Sequence, residues 1–173
     1  MTTLIQKKIC LLGDFAVGKT SLIQRFVHNM FDLQYLSTLG VHISRKDVLL
    51  PEMETIVRLL VWDLAGKEKC DDVRNDYLKG ASGVIVVGDL SRPNTFNCVK
   101  DFSRVIINTK LIPSCVIVGN KVDLFDDKLS VTNDIDGIAT ELNLPCTITS
   151  AKTGEGVEAT FLLLAKTICR EMN

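Results

Sequence analysis

Residues 13 to 20 read Gly13-Asp14-Phe15-Ala16-Val17-Gly18-Lys19-Thr20, the spacing G-x-x-x-x-G-K-[ST]. The apolar run Ile9-Cys10-Leu11-Leu12 precedes them, and Leu22, Ile23, Phe26 and Val27 follow at helical spacing. A strand passing through such a loop into a helix is the setting in which this motif cradles a polyphosphate. Gly13 and Gly18 permit backbone conformations that a Cβ would hinder, and successive N–H groups and the helix N-terminus point at the anion. Lys19 supplies a mobile point charge for the outer phosphates, and the Thr20 hydroxyl can take a Mg²⁺ position.

Working outward, continuous Val/Ile/Leu runs near 8–13, 55–63, 83–89, 115–120 and 146–149 predict strands buried on both faces, because they do not alternate with polar residues. Helical spacing predicts helices over Leu22–Phe26, Val73–Leu78, Phe96–Ile107, Ile135–Leu142 and Val157–Ile168. Thr132 and Gly156 read as helix caps, and Pro93 as a first-turn residue. Val41–Leu50 and Thr55–Asp63 are joined only by Pro51-Glu52-Met53-Glu54, which predicts a hairpin and one antiparallel strand. Right-handed crossovers then give a three-layer α/β sandwich: six strands, mostly parallel with one antiparallel edge strand, and five helices. In such a sheet the ligand crevice lies at the carboxyl ends of the strands.

At 173 residues, with no linker-like stretch or repeat, residues 1–173 form a single domain. A net charge of −1, with basic and acidic residues intermixed, gives no stripe for a nucleic-acid backbone. The apolar runs are strand-length, too short to span a bilayer, and Met1-Thr2-Thr3 offers no secretory or myristoylation signal. Cys10, Cys70, Cys98, Cys115, Cys146 and Cys169 lack metal-ligand spacing and read as small buried apolar groups in a reducing compartment.

Three further motifs fall at predicted strand ends. In Trp62-Asp63-Leu64-Ala65-Gly66 the carboxylate can hold Mg²⁺ through water, and the Gly66 N–H can approach a γ-phosphate. In Asn120-Lys121-Val122-Asp123 the Asp123 carboxylate can accept from N1–H and the N2 amine of guanine, a donor pair that adenine lacks. In Ser150-Ala151-Lys152 the Ala151 N–H can donate to guanine O6 while the Lys152 stem covers the ring.

Through Gly13 to Ser21, Tyr35 to Val41, Trp62 to Glu68, Asn120 to Asp123 and Ser150 to Glu155, the chain resembles the Ras superfamily of small GTPases, and Rab proteins most closely. The resemblance implies a P-loop NTPase fold and a GDP/GTP cycle with Mg²⁺. It extends nucleotide contact over Asp14, Phe15, Ala16, Val17, Gly18, Lys19, Thr20, Ser21, Asn120, Lys121, Asp123, Ser150, Ala151 and Lys152. It likens Phe31 to the aromatic beside the guanine, Tyr35 to the one closing over the phosphates, and Thr38 to the threonine that coordinates Mg²⁺ and senses the γ-phosphate. Lys19, Thr38, Gly66 and the residue at position 67 would form the catalytic set, and Thr20, Thr38 and Asp63 (via water) the metal set. Exchange factor, GTPase-activating protein and effectors would read two switches, about 31–43 and 65–77.

Several residues depart from the family pattern. Lys67 stands where a glutamine usually orients the attacking water, and Phe15 is bulky at a loop position that is usually small. Ile43 takes the first place of an aromatic trio of which Trp62 and Tyr77 remain, which alters the effector face. Cys169 is fifth from the end of the sequence, out of place for a prenylation box, so the expectation is a cytoplasmic protein without its own lipid anchor in this chain. Membrane recruitment would then need partners or a tail absent from this chain. Two readings compete with an active switch: a GTP-bound scaffold with negligible turnover, suggested by Lys67 and Phe15, and a general NTPase or small-molecule kinase, disfavoured because Asn120 and Asp123 specify guanine.

Overall fold

The computed structural model describes residues 3–31, 40–64, 75–109, 112 and 114–171. In chain order the elements are β1 (Thr3–Gly13), α1 (Lys19–His28), β2 (Val41–Leu50), β3 (Thr55–Leu64), α2 (Asn75–Leu78), β4 (Ala81–Asp89), α3 (Thr95–Thr109), β5 (Ser114–Asn120), α4 (Asn133–Leu142), β6 (Cys146–Ile148) and α5 (Val157–Arg170). The sheet order is β2-β3-β1-β4-β5-β6. Among the described residues only β2 is antiparallel to its neighbour, in register from Val41↔Leu64 to Leu50↔Thr55.

The continuous apolar runs arise because both sheet faces are covered. Ile9, Leu11, Ile85, Val87, Val116 and Val118 point into one core with Ile23 and Phe26 of α1 and Phe161, Leu164 and Ile168 of α5. Cys10, Leu12, Val84, Val86 and Ile117 point into the other, against Phe96, Val99, Phe102 and Ile106 of α3 and Ile135 of α4. The Phe26 and Phe161 rings stack at 3.8 Å between centroids, locking α1 to α5. Each such fully buried side chain contributes about 1.5–3 kcal/mol of transfer free energy.

Among the described residues four helices have ten residues or more, and α2 is described over Asn75–Leu78. β1 begins earlier than its apolar run because Thr3–Lys7 pair with Thr55–Leu59, extending the ladder beyond the covered core. Pro93 is not in a helical first turn. It lies in the turn before α3, where Phe96 N–H donates to its carbonyl at 3.0 Å and Thr95 begins the helix. Gly156 caps α5 with φ +69°, and Thr132 precedes α4 without a side-chain cap hydrogen bond. Cys10, Cys115 and Cys169 are buried as expected, but Cys98 on α3 and Cys146 on the outer strand β6 are only half-buried.

This topology gathers the motifs. The parallel strands end together at Gly13, Leu64, Asp89, Asn120 and Ile148, and antiparallel β2 starts at the same edge because Val41 pairs with Leu64.

Candidate nucleotide site

The loop from β1 to α1 is shaped by two glycines and one alanine. Gly13 sits at φ +143°, and a Cβ there would come within 2.2 Å of the Val87 carbonyl oxygen. Gly18 sits at φ +102°, and its Cβ would meet Asn120 Nδ2 at 2.3 Å. Ala16 is also left-handed, at φ +58°, a conformation whose cost to a Cβ-bearing residue is about 1–2 kcal/mol. The glycine spacing announces the first two positions; nothing local in the sequence announces the third. Phe15 is 40% exposed, and its N–H donates to Asp14 Oδ1 at 2.7 Å.

Lys19, at the start of α1, is only 7% exposed, and its ammonium donates to the carbonyls of Gly13 at 2.8 Å and Asp14 at 2.9 Å. Burial pushes its pKa down to about 8, against the opposing pull of the Asp63 and Asp14 carboxylates. One residue on, the Thr20 hydroxyl donates to Asp63 Oδ2 at 2.6 Å, with Asp63 buried at the end of β3. A hydroxyl and a carboxylate, both hard oxygen donors side by side at the lip of the loop, suit Mg²⁺, which takes few protein oxygens and keeps its waters. Ser21 follows on α1, half-buried.

The motifs at 120–123 and 150–152 are joined to this loop. Asn120 Nδ2 donates to the Val17 carbonyl at 2.9 Å, and its Oδ1 accepts from Thr149 Oγ1 at 3.0 Å and from Ala151 N–H at 3.2 Å. The Ala151 N–H, expected to face a base oxygen, is thus engaged by Asn120. Ser150 Oγ donates to Asp123 Oδ1 at 2.6 Å and accepts from Thr153 N–H at 3.0 Å, fixing the carboxylate. Lys152 is exposed. From α1, Arg25 donates through Nε to the Ala151 carbonyl at 2.8 Å, and Lys128 pairs with Glu155 across the rim.

Sequence reasoning missed a cluster beside the loop. Asp89, fully buried at the end of β4, pairs with Lys121 Nζ at 2.6 Å and Arg92 Nε at 2.9 Å, and its Oδ1 accepts from Ser91. Burial pushes its carboxyl up, but the hydrogen bonds from Lys121, Ser91 and Arg92 outweigh this and hold it below the usual range. Lys121 Nζ also reaches the Ala16 carbonyl at 3.1 Å, and Arg92 reaches the Phe15 carbonyl at 2.8 Å. The available signal was a carboxylate closing an otherwise apolar central strand at the ligand edge.

Of the remaining sequence-derived residues, Phe31 is half-buried and packs against the α1/α5 core. Tyr35, Thr38, Gly66 and Lys67, with most of both switches, lie outside the described residues. Trp62 meets Tyr77 edge-on at 6.0 Å, Tyr77 Oη donates to the Trp62 carbonyl at 2.6 Å, and Lys8 Nζ lies 3.8 Å from the Trp62 ring centroid. Ile43, the cross-strand partner of Trp62, is half exposed. Among the described residues no helix is long and apolar enough to cross a membrane.

The model of the Ras family matches residues 8–170. The GTP-binding protein ypt1 of Schizosaccharomyces pombe is 35% identical over 166 residues, covering 95% of this chain and 81% of that protein. The Ras-related protein RabG2 of Dictyostelium discoideum is 36% identical over 164 residues, 94% of this chain and 82% of that protein. The Ras-related protein RABD1 of Arabidopsis thaliana is 33% identical over 166 residues, 95% of this chain and 80% of that protein.

Proposed function

The chain belongs to the Ras family and is therefore a guanine-nucleotide-binding switch and a GTPase, and we propose that residues 13–21 hold its phosphates while Asn120 and Asp123 read its base, the Ala151 N–H being shared between Asn120 Oδ1 and the base. The observation that carries this assignment is Asn120, whose one side chain bonds both the phosphate loop at Val17 and the base loop at Ala151. Asp123, oriented by Ser150, accepts from the guanine N1–H and N2 amine, and Lys152 covers the ring. Phe31 and Tyr35 flank base and phosphates.

Thr20 and Asp63, the latter through water, would hold Mg²⁺ together with Thr38. When bound, the cation supplies positive charge against the charge developing on the phosphate oxygens. Lys19 adds a second positive charge from within the loop. Thr38 and the Gly66 N–H sense the γ-phosphate, so that hydrolysis releases both switches and a partner selective for one form reads the difference. Turnover is slow, because Lys67 has three donors and no acceptor with which to orient water. Exchange factors, activating proteins and effectors engage 31–43 and 65–77, on a face where Ile43 replaces an aromatic.

Replacing the Thr20 hydroxyl tests the metal assignment. Thr20→Asn should weaken Mg²⁺-dependent GTP binding more than GDP binding, measured by equilibrium titration with each nucleotide, because the triphosphate form leans harder on that ligand. Equal losses for both nucleotides would reduce Thr20 to a helix-start residue.

A further inference from the structure

Asp89, Arg92 and Lys121 form a device around Ala16 that the phosphate-site reading leaves partly unused. The buried Asp89 carboxylate anchors two cations, and each reaches on to a different carbonyl of the loop: Arg92 to Phe15 O at 2.8 Å, Lys121 to Ala16 O at 3.1 Å. These carbonyls belong to the two peptide groups flanking Ala16, the left-handed non-glycine residue of the loop. Within a planar trans peptide the C=O and the following N–H point in opposite directions. Drawing the Phe15 and Ala16 carbonyls toward Asp89 therefore turns the Ala16 and Val17 N–H groups the other way. Successive N–H groups around a left-handed residue make an anion-binding concavity.

We propose that Arg92 is a positioning residue for the nucleotide phosphates: bridging Asp89 and the Phe15 carbonyl, it holds the Phe15–Ala16 peptide so that the Ala16 N–H faces the anion, and it thereby slows nucleotide release. The proposal rests on residues 13–20 being the phosphate site. Arginine suits the role because its planar fork donates in two directions at once, to the carboxylate through Nε and to the carbonyl through a terminal nitrogen. The residue touches no reacting atom; it acts through the loop.

The test compares release of a fluorescent GDP analogue from the Mg²⁺-loaded protein in the parent, Arg92→Gln, Arg92→Lys and Arg104→Gln. Arg104 pairs with Glu141 on the far helices and controls for loss of a surface guanidinium. Arg92→Gln should release the analogue about tenfold faster, the scale of one charge-assisted hydrogen bond, while Arg104→Gln stays near the parent rate. Preference for GDP over GMP should also fall in Arg92→Gln, because the lost contact shapes the phosphate cradle; a general loss of stability would weaken both nucleotides alike. Acceleration under about threefold, or an unchanged GDP/GMP ratio, overturns the proposal. If Arg92→Gln does not fold, Arg92→Lys carries the test on the same threshold, since an ammonium cannot span both partners at guanidinium geometry. Failure of the phosphate-site reading itself would look different: the parent would hold GDP no better than GMP.

Discussion

The Asn120 side chain donates from Nδ2 to the Val17 carbonyl at 2.9 Å, so the end of β5 and the phosphate loop are bonded directly. The same side chain accepts from Thr149 and Ala151 through Oδ1, which exhausts its acceptor side on the base loop. In the proposed assignment base and phosphate recognition thus share one amide, so a disturbance at either end should be felt at the other. Buried networks of this kind couple more strongly than exposed ones, because a lost partner leaves a desolvated polar group behind.

Gly18→Ala tests that coupling. Its Cβ would lie 2.3 Å from Asn120 Nδ2, at a φ of +102° that alanine resists. Backbone strain and a broken buried hydrogen bond together cost about 3 kcal/mol, which lowers Tm by roughly 6 to 12 °C for a domain of this size. Guanine selectivity should weaken with it, although residue 18 touches no base. A thermal melt within about 2 °C of the parent would mean that Asn120 moves aside freely.

Asp123→Asn addresses the base directly. The carboxylate, held by Ser150 at 2.6 Å, accepts from two guanine donors in the assignment above. An amide accepts once and donates once, which fits the 2-oxo group of xanthine instead. Guanine nucleotide affinity should fall by about three orders of magnitude and xanthine nucleotides should become preferred, read by competition binding. Unchanged guanine preference would place base recognition elsewhere.

The Lys19 ammonium gives a pH dependence of definite sign. Burial lowers its pKa to about 8, so between that value and its ordinary 10.5 the folded protein holds fewer protons at this position than the unfolded chain. The associated penalty on folding is fully present below about pH 8 and is relieved as pH rises through the window up to 10.5. A bound phosphate favours the ammonium and raises its pKa again. GDP binding should therefore take up protons at about pH 8.5 and weaken from pH 7.5 upward, below the range where the guanine N1–H itself titrates. Binding enthalpies in two buffers of different ionisation heat measure the uptake; equal enthalpies would show that Lys19 does not change protonation.

The parts legible in the sequence share a physical cause. Uninterrupted Val/Ile/Leu runs mark β1, β4 and β5 because both of their faces are covered, and Gly13 and Gly18 mark the loop because their Cβ atoms would strike Val87 and Asn120. Asp123 and Ser150 follow the ends of β5 and β6, and the structure brings them together at 2.6 Å. Asp89 and Arg92 were not legible, because their partners are the backbone carbonyl of Phe15 and the distant Lys121, contacts that exist only once β1, β4 and β5 lie side by side. Pro93 lies two residues ahead of α3, in the turn that leads into it through the bonds from Thr95 N–H to Arg92 and from Phe96 N–H to Pro93.

In the proposed reading turnover depends on Lys67, which follows Asp63-Leu64-Ala65-Gly66 where Ras-like GTPases usually place glutamine. Glutamine offers a carbonyl to accept from the attacking water and an amide to donate; lysine offers three donors and no acceptor. Its charge can favour GTP binding but cannot align the nucleophile. Intrinsic hydrolysis should then run at or below about 10⁻⁴ s⁻¹, with poor response to activators that require a glutamine in cis. An activator bringing its own glutamine and arginine in trans would still accelerate the reaction. Lys67→Gln should raise the single-turnover rate by about tenfold while nucleotide affinity holds. If the rate stays unchanged or falls, Lys67 does not limit turnover, and attention shifts to Phe15, exposed on the loop between Gly13 and Gly18.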